Sequence, residues 1–252
     1  DKGIFMISII TPAYNASRFI GKTIESVQAQ SYTNWELLIA DDVSQDNTAD
    51  IVRQYAQTDN RIRLTTLDDN LGAAEARNVI IRKARGKYIA FLDSDDLWRP
   101  EKLEKQLGFM EKYKLAFTCT AYECISEDGQ KVLYTVKAPG QIGYRRFLRN
   151  TAIGTLTVMI NREMTGEFEM PDIRSSHDMA LWLDIMKRGF KAHGLNENLA
   201  QYRLVGDSNT SAKWKAAKDV WKVYRNIERL NWFDAVFYFT GYAVNAILKR
   251  IK

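Results

Sequence analysis

Three carboxylates follow a short apolar segment in the first half of the chain. Residues 87–92 are typical of a buried strand, and Asp93, Ser94, Asp95 and Asp96 come directly after it. Carboxylates packed this closely repel one another unless a cation lies among them. Mg²⁺ and Mn²⁺ prefer hard oxygen ligands and take one or two carboxylates together with substrate phosphates. The segment therefore predicts a divalent-metal site for an anionic ligand, since a helix start alone does not require three acids.

A second acidic pair ends another apolar segment. Residues 35–40 lead into Asp41 and Asp42, and Asp46 follows where a helix is expected to begin. One residue is enough to cap a helix, so the pair is left for contact with a ligand. A carboxylate in this place suits the N–H donor of a base or the hydroxyl groups of a ribose.

A third segment, residues 71–78, opens a helix with a small turn at Gly72 and carries Arg77 as a donor for an oxygen-rich ligand. The chain contains neither the Gly-x-Gly-x-x-Gly motif of dinucleotide sites nor a P-loop. A plain surface helix would explain this segment equally well.

A later helix begins with His177 and Asp178. A carboxylate at this place can act as a general base, or it can simply interact favourably with the helix dipole. His177 can be a metal ligand, a base, an orienting neighbour or a structural residue. The local pattern does not separate these alternatives.

Strands and helices alternate over the first hundred residues, which predicts an α/β fold with a mostly parallel sheet and helices on both faces. Ligands of such sheets bind at the carboxyl ends of the strands, where the acidic segments should therefore meet. The predicted strands are 7–10, 35–40, 62–65, 87–92, 115–119, 155–160 and 199–204, and the predicted helices 17–28, 46–55, 73–84, 100–113, 177–188 and most of 213–252.

The charge of the chain is concentrated at one end. The 252 residues carry a formal net charge of +5 and are 46% hydrophobic. Residues 213–252 contain nine Lys or Arg and three Asp or Glu, so the rest of the chain is close to neutral. This distribution argues against a nucleic-acid partner for the main domain. Two cysteines, Cys119 and Cys124, are expected to be buried thiols of a reducing compartment.

These segments, in this order, resemble glycosyltransferase family 2, the inverting nucleotide-sugar transferases of the GT-A fold. The resemblance extends over about residues 7–211. It rests on residues 11–15, 41–46, 70–72, 76–78, 86–96, 177–178, 181–182, 202–203, Ser208 and Ser211.

The resemblance implies a UDP-sugar donor, a divalent cation and a hydroxyl group of a glycan as acceptor. Pro12, Tyr14 and the first acidic pair would line the pocket for the base and ribose. Asp93 would contact the ribose or the sugar, and Arg77 the sugar or a phosphate. The donor-binding residues implied in this way are Thr11, Pro12, Tyr14, Asp41, Asp42, Gly72, Arg77, Asp93, Ser94, Tyr202 and Arg203.

The same resemblance implies the reacting groups. Asp95 would hold Mn²⁺ or Mg²⁺ on the diphosphate. Asp178 would deprotonate the acceptor hydroxyl, which attacks the anomeric carbon opposite the departing nucleotide. Tyr202, Arg203 and the loop to Ser211 would close over the diphosphate.

The chain departs from the family pattern at two positions. Val43 replaces a glycine that usually follows the first acidic pair, so the turn is expected to differ in shape. His177 replaces the glutamate that usually precedes the base, which changes the environment of Asp178 and the expected pH profile.

The C-terminal residues predict an amphipathic helical extension. Basic residues recur at helical spacing from Lys215 to Arg229, and residues 232–251 are strongly apolar with many aromatic side chains. Such helices suit an anionic membrane surface. Packing on the catalytic domain, or on a second copy in a homodimer, remains the alternative.

We therefore expect a GT-A catalytic domain at 6–211, with a nucleotide-sugar half (6–98) and an acceptor half (99–211), followed by a helical tail at 212–252. Family members that build bacterial envelope polysaccharides, such as capsule and lipopolysaccharide, act on lipid-linked acceptors. This implies a cytoplasmic enzyme, peripheral on the inner face of the plasma membrane. A metal-dependent nucleotidyltransferase and a non-catalytic sugar-nucleotide-binding membrane scaffold are the alternatives.

Overall fold

A computed structural model describes residues 5–173, 175–205 and 210–251, with side chains described except at 210–215 and 246–251. Within these residues ten strands form one sheet. They are β1 (Ile7–Ala13), β2 (Trp35–Asp41), β3 (Ile62–Thr66), β4 (Tyr88–Phe91), β5 (Leu97–Trp98), β6 (Phe117–Ile125), β7 (Val132–Val136), β8 (Gln141–Ile142), β9 (Met159–Asn161) and β10 (Ala192–Arg203).

The sheet has a parallel half and a mixed half. Its spatial order is β3-β2-β1-β4-β9-β6-β10-β5, with β7 paired to β6 and β8 to β10. The strands β3, β2, β1 and β4 run parallel, as the sequence predicts. β9 then runs antiparallel between β4 and β6, while β6 and β10 are parallel to each other. The α/β fold with a mostly parallel first half is thus confirmed.

Helices cover both faces of the sheet. On one face α1, α2 and α4 pack in one hydrophobic core, and on the other face α3, α5 and α7 pack in a second core. The helices are α1 (Ile20–Gln28), α2 (Thr48–Thr58), α3 (Gly72–Ile81), α4 (Lys102–Tyr113), α5 (Tyr144–Arg149), α6 (Arg162–Thr165), α7 (His177–Lys187), α8 (Thr210–Lys222) and α9 (Trp232–Ile251).

The central strands are buried on both faces, which explains their continuous apolar sequence. Ile9 contributes to one core and its neighbour Ile10 to the other, and both are fully buried. β1 also continues beyond the predicted end at residue 10 as far as Ala13, because its pairing with β2 extends to Asp41.

The prediction of a strand over residues 155–160 is wrong in its first half. Thr155–Thr157 forms a 3-10 turn, and only Met159–Asn161 joins the sheet. A hairpin turn at Asp128 and Gly129 joins β6 to β7, and Gly129 has a φ of 75°. Glycine adopts this left-handed conformation without strain.

The C-terminal residues are helical, as predicted, and part of them packs on the preceding part of the described chain. α8 is followed by a π-helical turn, Val223–Ile227, and then by α9. Tyr224 is fully buried and donates a hydrogen bond to the carbonyl of Leu148. Glu228 accepts a hydrogen bond from Tyr144 at 2.5 Å and pairs with Lys187 at 3.1 Å. Among the described helices, none has a stretch long and apolar enough to span a bilayer.

Candidate functional site

The carboxyl ends of β1 and β4 lie side by side and border an open cleft of about 270 Å³. After β1 the chain moves outward to β2 and β3, and it returns to the other side of β1 as β4. Ligands bind at such a reversal of strand order in open α/β sheets. The cleft is lined by Pro12, Ala13, Tyr14, Asp42, Ala73, Arg77, Asp93, Ser94 and Asp95. Ala13 and Ala73 are the members of this set that the sequence analysis did not name.

The first acidic pair anchors the floor of the cleft. The carboxylate of Asp42 accepts hydrogen bonds from the backbone N–H groups of Leu71 at 2.7 Å and Gly72 at 2.8 Å. Gly72 has a φ of 82°, and a side chain there would point into open space. The neighbouring Asp41 is buried, and its Oδ2 accepts a hydrogen bond from the backbone N–H of Ser44 at 3.3 Å. Asp42 therefore joins the end of β2 to the start of α3.

Asp46 fixes the loop between β2 and α2. Burial raises the pKa of Asp46, but hydrogen bonds from Thr48 and Ser17 outweigh this effect and bring that pKa to about 2. Its contact at 3.0 Å with the backbone N–H of Thr48 supports the start of α2. The N-cap position itself is Asn47, whose side chain makes no capping hydrogen bond, so Asp46 supports the first turn from one residue before the cap.

The turn after the acidic pair keeps a left-handed residue although glycine is absent. Val43 has a φ of 63°, a conformation that is strained for a β-branched side chain. This strain lies within the turn itself. The expected difference in shape from the turn of the family stays a prediction.

Arg77 connects the acidic strand end to the later helix. The side chain is buried, and one guanidinium nitrogen pairs with Asp93. The other terminal nitrogen lies 2.6 Å from Nε2 of His177. Because the guanidinium is a donor only, Nε2 must be the acceptor and the ring must be neutral. Arg77 thus brings the start of α7 to the edge of the cleft.

The environment of His177 favours this neutral form. Burial lowers the pKa of His177 below 6.5, and the positive charge of Arg77 lowers it further. A metal ligand or a general base needs a nitrogen with a free lone pair. Nε2 of His177 already accepts a hydrogen bond from Arg77, so the geometry favours neither of these two roles. The contact with Arg77 gives it the role of an orienting neighbour.

The acidic strand end has the character expected of a cation site. Burial raises the pKa of Asp95, and the carboxylate of Asp93 raises it further. A cation would relieve this repulsion. Within the described ranges no group of three or more His, Cys, Asp or Glu is arranged to hold a metal. Asp93 and Asp95 offer the one or two carboxylates that Mg²⁺ or Mn²⁺ takes beside phosphate and water oxygens.

Asp96 lies behind the cleft and has a structural partner. It is fully buried, and its Oδ1 accepts a hydrogen bond from the backbone N–H of Arg203 at 2.9 Å. Burial raises the pKa of Asp96 well above its ordinary value, and Asp93 and Asp95 add to this effect. The guanidinium of Arg203 donates to the carbonyls of Asp95 at 2.8 Å and Glu127 at 2.7 Å. Arg203 thus holds the acidic segment against the β6–β7 hairpin.

Asp178 lies at the start of α7, next to the histidine that contacts Arg77. Its Oδ2 accepts a hydrogen bond from the hydroxyl of Thr155 at 2.7 Å. Thr155, which was predicted to lie in a strand, is not among the predicted site residues. The chain offers no local signal for this contact, since 23 residues separate the two partners.

Ser94 lines the cleft, whereas the remaining predicted residues are not part of its lining. Thr11 is buried in β1, and Tyr202 is partly exposed with its ring 6.4 Å from that of Tyr122. Burial and the charge of Asp96 raise the pKa of Tyr202 to about 12. The loop predicted to close over the diphosphate contains Ser208, which lies outside the described residues.

Comparison of the sequence with known families gives one clear match. The model of the family described as Glycosyl transferase family 2 matches residues 8–165, more than half of the chain. TuaG of Bacillus subtilis strain 168, a glycosyltransferase assigned to teichuronic acid biosynthesis, is 50% identical over 246 residues, which are 98% of each chain. WfgD of Escherichia coli, a UDP-Glc:alpha-D-GlcNAc-diphosphoundecaprenol beta-1,3-glucosyltransferase, is 38% identical over 98% of this chain and 95% of its own.

Solved structures show the same fold at lower identity. Residues 1–349 of Staphylococcus aureus TarS in complex with UDP-GlcNAc superpose with a TM-score of 0.74 at 19% identity, over 94% of this chain and 71% of that one. The mannosyltransferase PcManGT from Pyrobaculum calidifontis, in complex with GDP-Man and Mn²⁺, gives a TM-score of 0.69 at 18% identity, over 94% of this chain and 69% of that one.

Proposed function

Since this chain belongs to glycosyltransferase family 2, with the GT-A fold, we propose that it moves a sugar from a UDP-sugar to a hydroxyl group of a lipid-linked glycan, with inversion at the anomeric carbon. The observation that carries this proposal is the chain of contacts from Asp93 through Arg77 to His177, which joins the acidic strand end to the helix of Asp178. The names of WfgD and TarS support a UDP-sugar donor, and that of WfgD supports a diphosphoundecaprenol-linked acceptor.

The cleft suits the nucleotide end of such a donor. Pro12 and the exposed ring of Tyr14 offer apolar surface for a base, and Asp42 adds a carboxylate to the lining. Arg77 and Asp93 form an ion pair in the same cleft and suit the phosphate and the sugar hydroxyls. The residues that line the cleft would be supported by Thr11, Asp41, Gly72 and Ser94. The diphosphate would be bordered by Tyr202 and Arg203.

We propose that Asp95 is the protein ligand of the metal, which would be Mn²⁺ or Mg²⁺. The bound cation would neutralise the negative charge that develops on the departing diphosphate. The neighbouring Asp93 would then remain available to the ribose or sugar. PcManGT, whose structure contains Mn²⁺, supports a divalent cation in this fold.

In this proposal Asp178 is the general base. Its carboxylate would accept the proton of the acceptor hydroxyl, whose oxygen attacks the anomeric carbon from the face opposite the nucleotide. The residues of 6–98 would thus bind the donor, and those of 99–211, which include Asp178, would bind the acceptor.

The test uses Asp178→Asn, with Asp184→Asn as a matched control. Asp184 lies on the same helix, but its carboxylate is exposed and pairs with Arg188. We expect Asp178→Asn to abolish transfer from UDP-sugars to a diphospholipid-linked sugar while UDP still binds, and the control to remain active. Normal transfer by Asp178→Asn would refute the assignment of the base. Tight binding without transfer or hydrolysis of any UDP-sugar by the wild type would instead favour a non-catalytic scaffold.

We also propose that the tail, residues 212–252, holds the enzyme at the inner face of a bacterial plasma membrane. One side of α9 packs on the domain through Ala235 and Phe239, whereas Phe233 is 90% exposed and Phe237 56% exposed. The guanidinium of Arg149 lies 4.3 Å from the ring of Phe237, at the border of this aromatic surface. An apolar helix face next to basic residues binds at the interface of an anionic bilayer.

Sedimentation with phosphatidylglycerol vesicles tests this surface. Phe233→Ser with Phe237→Ser should release the protein from the vesicles, because each buried phenylalanine contributes about 2 kcal/mol. Tyr113→Ser, at another exposed aromatic residue on α4, should leave binding unchanged. Equal binding of both variants would argue against the proposal, and a dimer that dissociates with the double variant would assign the surface to a second copy.

A further inference from the structure

The proposed base is held by one hydroxyl group of a buried turn. The Oγ1 of Thr155 donates to Oδ2 of Asp178 at 2.7 Å, and Thr155 is 9% exposed. No described residue donates a hydrogen bond to the other oxygen, Oδ1. The two carboxylate oxygens are therefore distinct in the folded protein.

The turn that carries Thr155 is fixed by buried polar side chains. The indole N–H of Trp98 donates to the carbonyl of Leu156 at 2.8 Å. The amide of Gln106 donates to the carbonyl of Thr157 at 2.9 Å, and Gln106 in turn accepts a hydrogen bond from Lys102 at 2.7 Å. These donors lie on β5 and α4, which follow the acidic strand end directly. The turn thus has a defined position relative to the cleft.

We propose that Thr155 is a positioning residue for Asp178, and that Oδ1 is the oxygen that receives the proton. This inference rests on the proposed function. The acceptor oxygen forms its bond to the anomeric carbon while the bond to the diphosphate oxygen breaks and its electron pair leaves with the nucleotide. The acceptor proton passes to Oδ1, while the Thr155 hydroxyl keeps Oδ2 in place and stabilises the ionised carboxylate.

A merely structural threonine would behave differently. The hydroxyl of Thr157, in the same turn, donates to the carbonyl of Gly154 at 2.6 Å and does not contact Asp178. Thr157→Val is therefore a matched control for the loss of one buried hydroxyl group. Thr155→Ser retains the donor and removes only a methyl group, so it serves as the conservative variant.

The experiment measures kcat and the KM values for donor and acceptor in sugar transfer. Thr155→Val should lower kcat about 10- to 100-fold, with the KM for the UDP-sugar unchanged within about twofold. Thr155→Ser should restore most of the rate, and Thr157→Val should retain it.

A Thr155→Val enzyme with wild-type kcat would overturn the inference, and so would equal losses of kcat in Thr155→Val and Thr157→Val. If the valine variant does not fold, Thr155→Ala carries the same comparison. The assignment of Asp178 is judged separately by Asp178→Asn. An inactive Asp178→Asn beside a normal Thr155→Val would sink this inference alone, whereas an active Asp178→Asn would sink the proposed function.

Discussion

Lys102 should make the stability of this protein depend strongly on pH. It begins α4 and is fully buried, and burial lowers its pKa to about 7. The ammonium group lies 4.1 Å from the centroid of the Trp98 ring and donates to Gln106 at 2.7 Å. The perturbation we propose is Lys102→Met, which keeps an unbranched side chain of similar length and removes the titrating group.

The direction and magnitude follow from the two pKa values. In the unfolded chain the pKa of Lys102 is 10.5, so between pH 7 and 10.5 the unfolded state binds a proton that the folded state does not. The free energy of unfolding must therefore rise with pH in this window, by up to about 1.4 kcal/mol per pH unit. Below pH 7 both states are charged, and the full cost of burying the charge, about 5 kcal/mol, is constant. Between pH 7 and 9.5 the gain should be about 3 kcal/mol.

Urea unfolding followed by tryptophan fluorescence, at intervals from pH 7 to 9.5, measures this effect. The quantity to compare is the difference between wild type and Lys102→Met, because other groups that titrate in the window, such as Cys119, cancel. We expect this difference to change by about 3 kcal/mol in favour of the wild type as the pH rises. Parallel curves for the two proteins would show that the folded state carries Lys102 with an ordinary pKa, and the reasoning would be refuted.

Three further predictions concern the loop and the cleft. Val43→Gly should raise the free energy of unfolding by up to about 1 kcal/mol, because it relieves the left-handed strain. Val43→Ala keeps a side chain at this left-handed position, so the free energy of unfolding measured by urea titration should not rise. Asp95→Ala should abolish transfer that depends on Mn²⁺, and calorimetry with UDP present should show no Mn²⁺ binding; full Mn²⁺-stimulated activity would contradict the metal assignment. Since burial and Arg77 lower the pKa of His177, the wild type should lose thermal stability as the pH falls below 6.5. His177→Gln, which keeps an acceptor but does not titrate, should lose less between pH 6.5 and 5, and an equal loss would count against this explanation.

The parallel half of the fold could be predicted because its signals are local. Each central strand is a short apolar segment, and acidic residues mark the ends of β2 and β4. Parallel pairing then brings Asp42, Asp93 and Asp95 to one cleft, as expected. The mixed half could not be predicted in the same way. β9 has only three residues, and its position in the sheet is set by pairing with β4 and β6, which are distant in sequence.

The same distinction applies to individual side chains. The identity of Asp178 as a candidate came from its position at a helix start, but its partner Thr155 depends on where a buried turn lies. Arg203 was expected near the diphosphate, and its contact with Asp96 joins residues 107 apart. Local sequence indicates which residues can do chemistry. Which oxygen or nitrogen is already engaged is decided by packing between segments that local sequence does not connect.

The replacement of the usual glutamate by His177 is best explained by the charge of the cleft. Asp42, Asp93 and Asp95 are opposed by Arg77 alone, so the lining carries about two negative charges, which one divalent cation would balance. A glutamate beside Arg77 would add a third negative charge next to the proposed site of the diphosphate. A neutral histidine ring accepts the same hydrogen bond at 2.6 Å without that charge. Arg77 therefore forms an ion pair with one carboxylate, that of Asp93, instead of two. More of its positive electrostatic potential then remains available to an anionic donor.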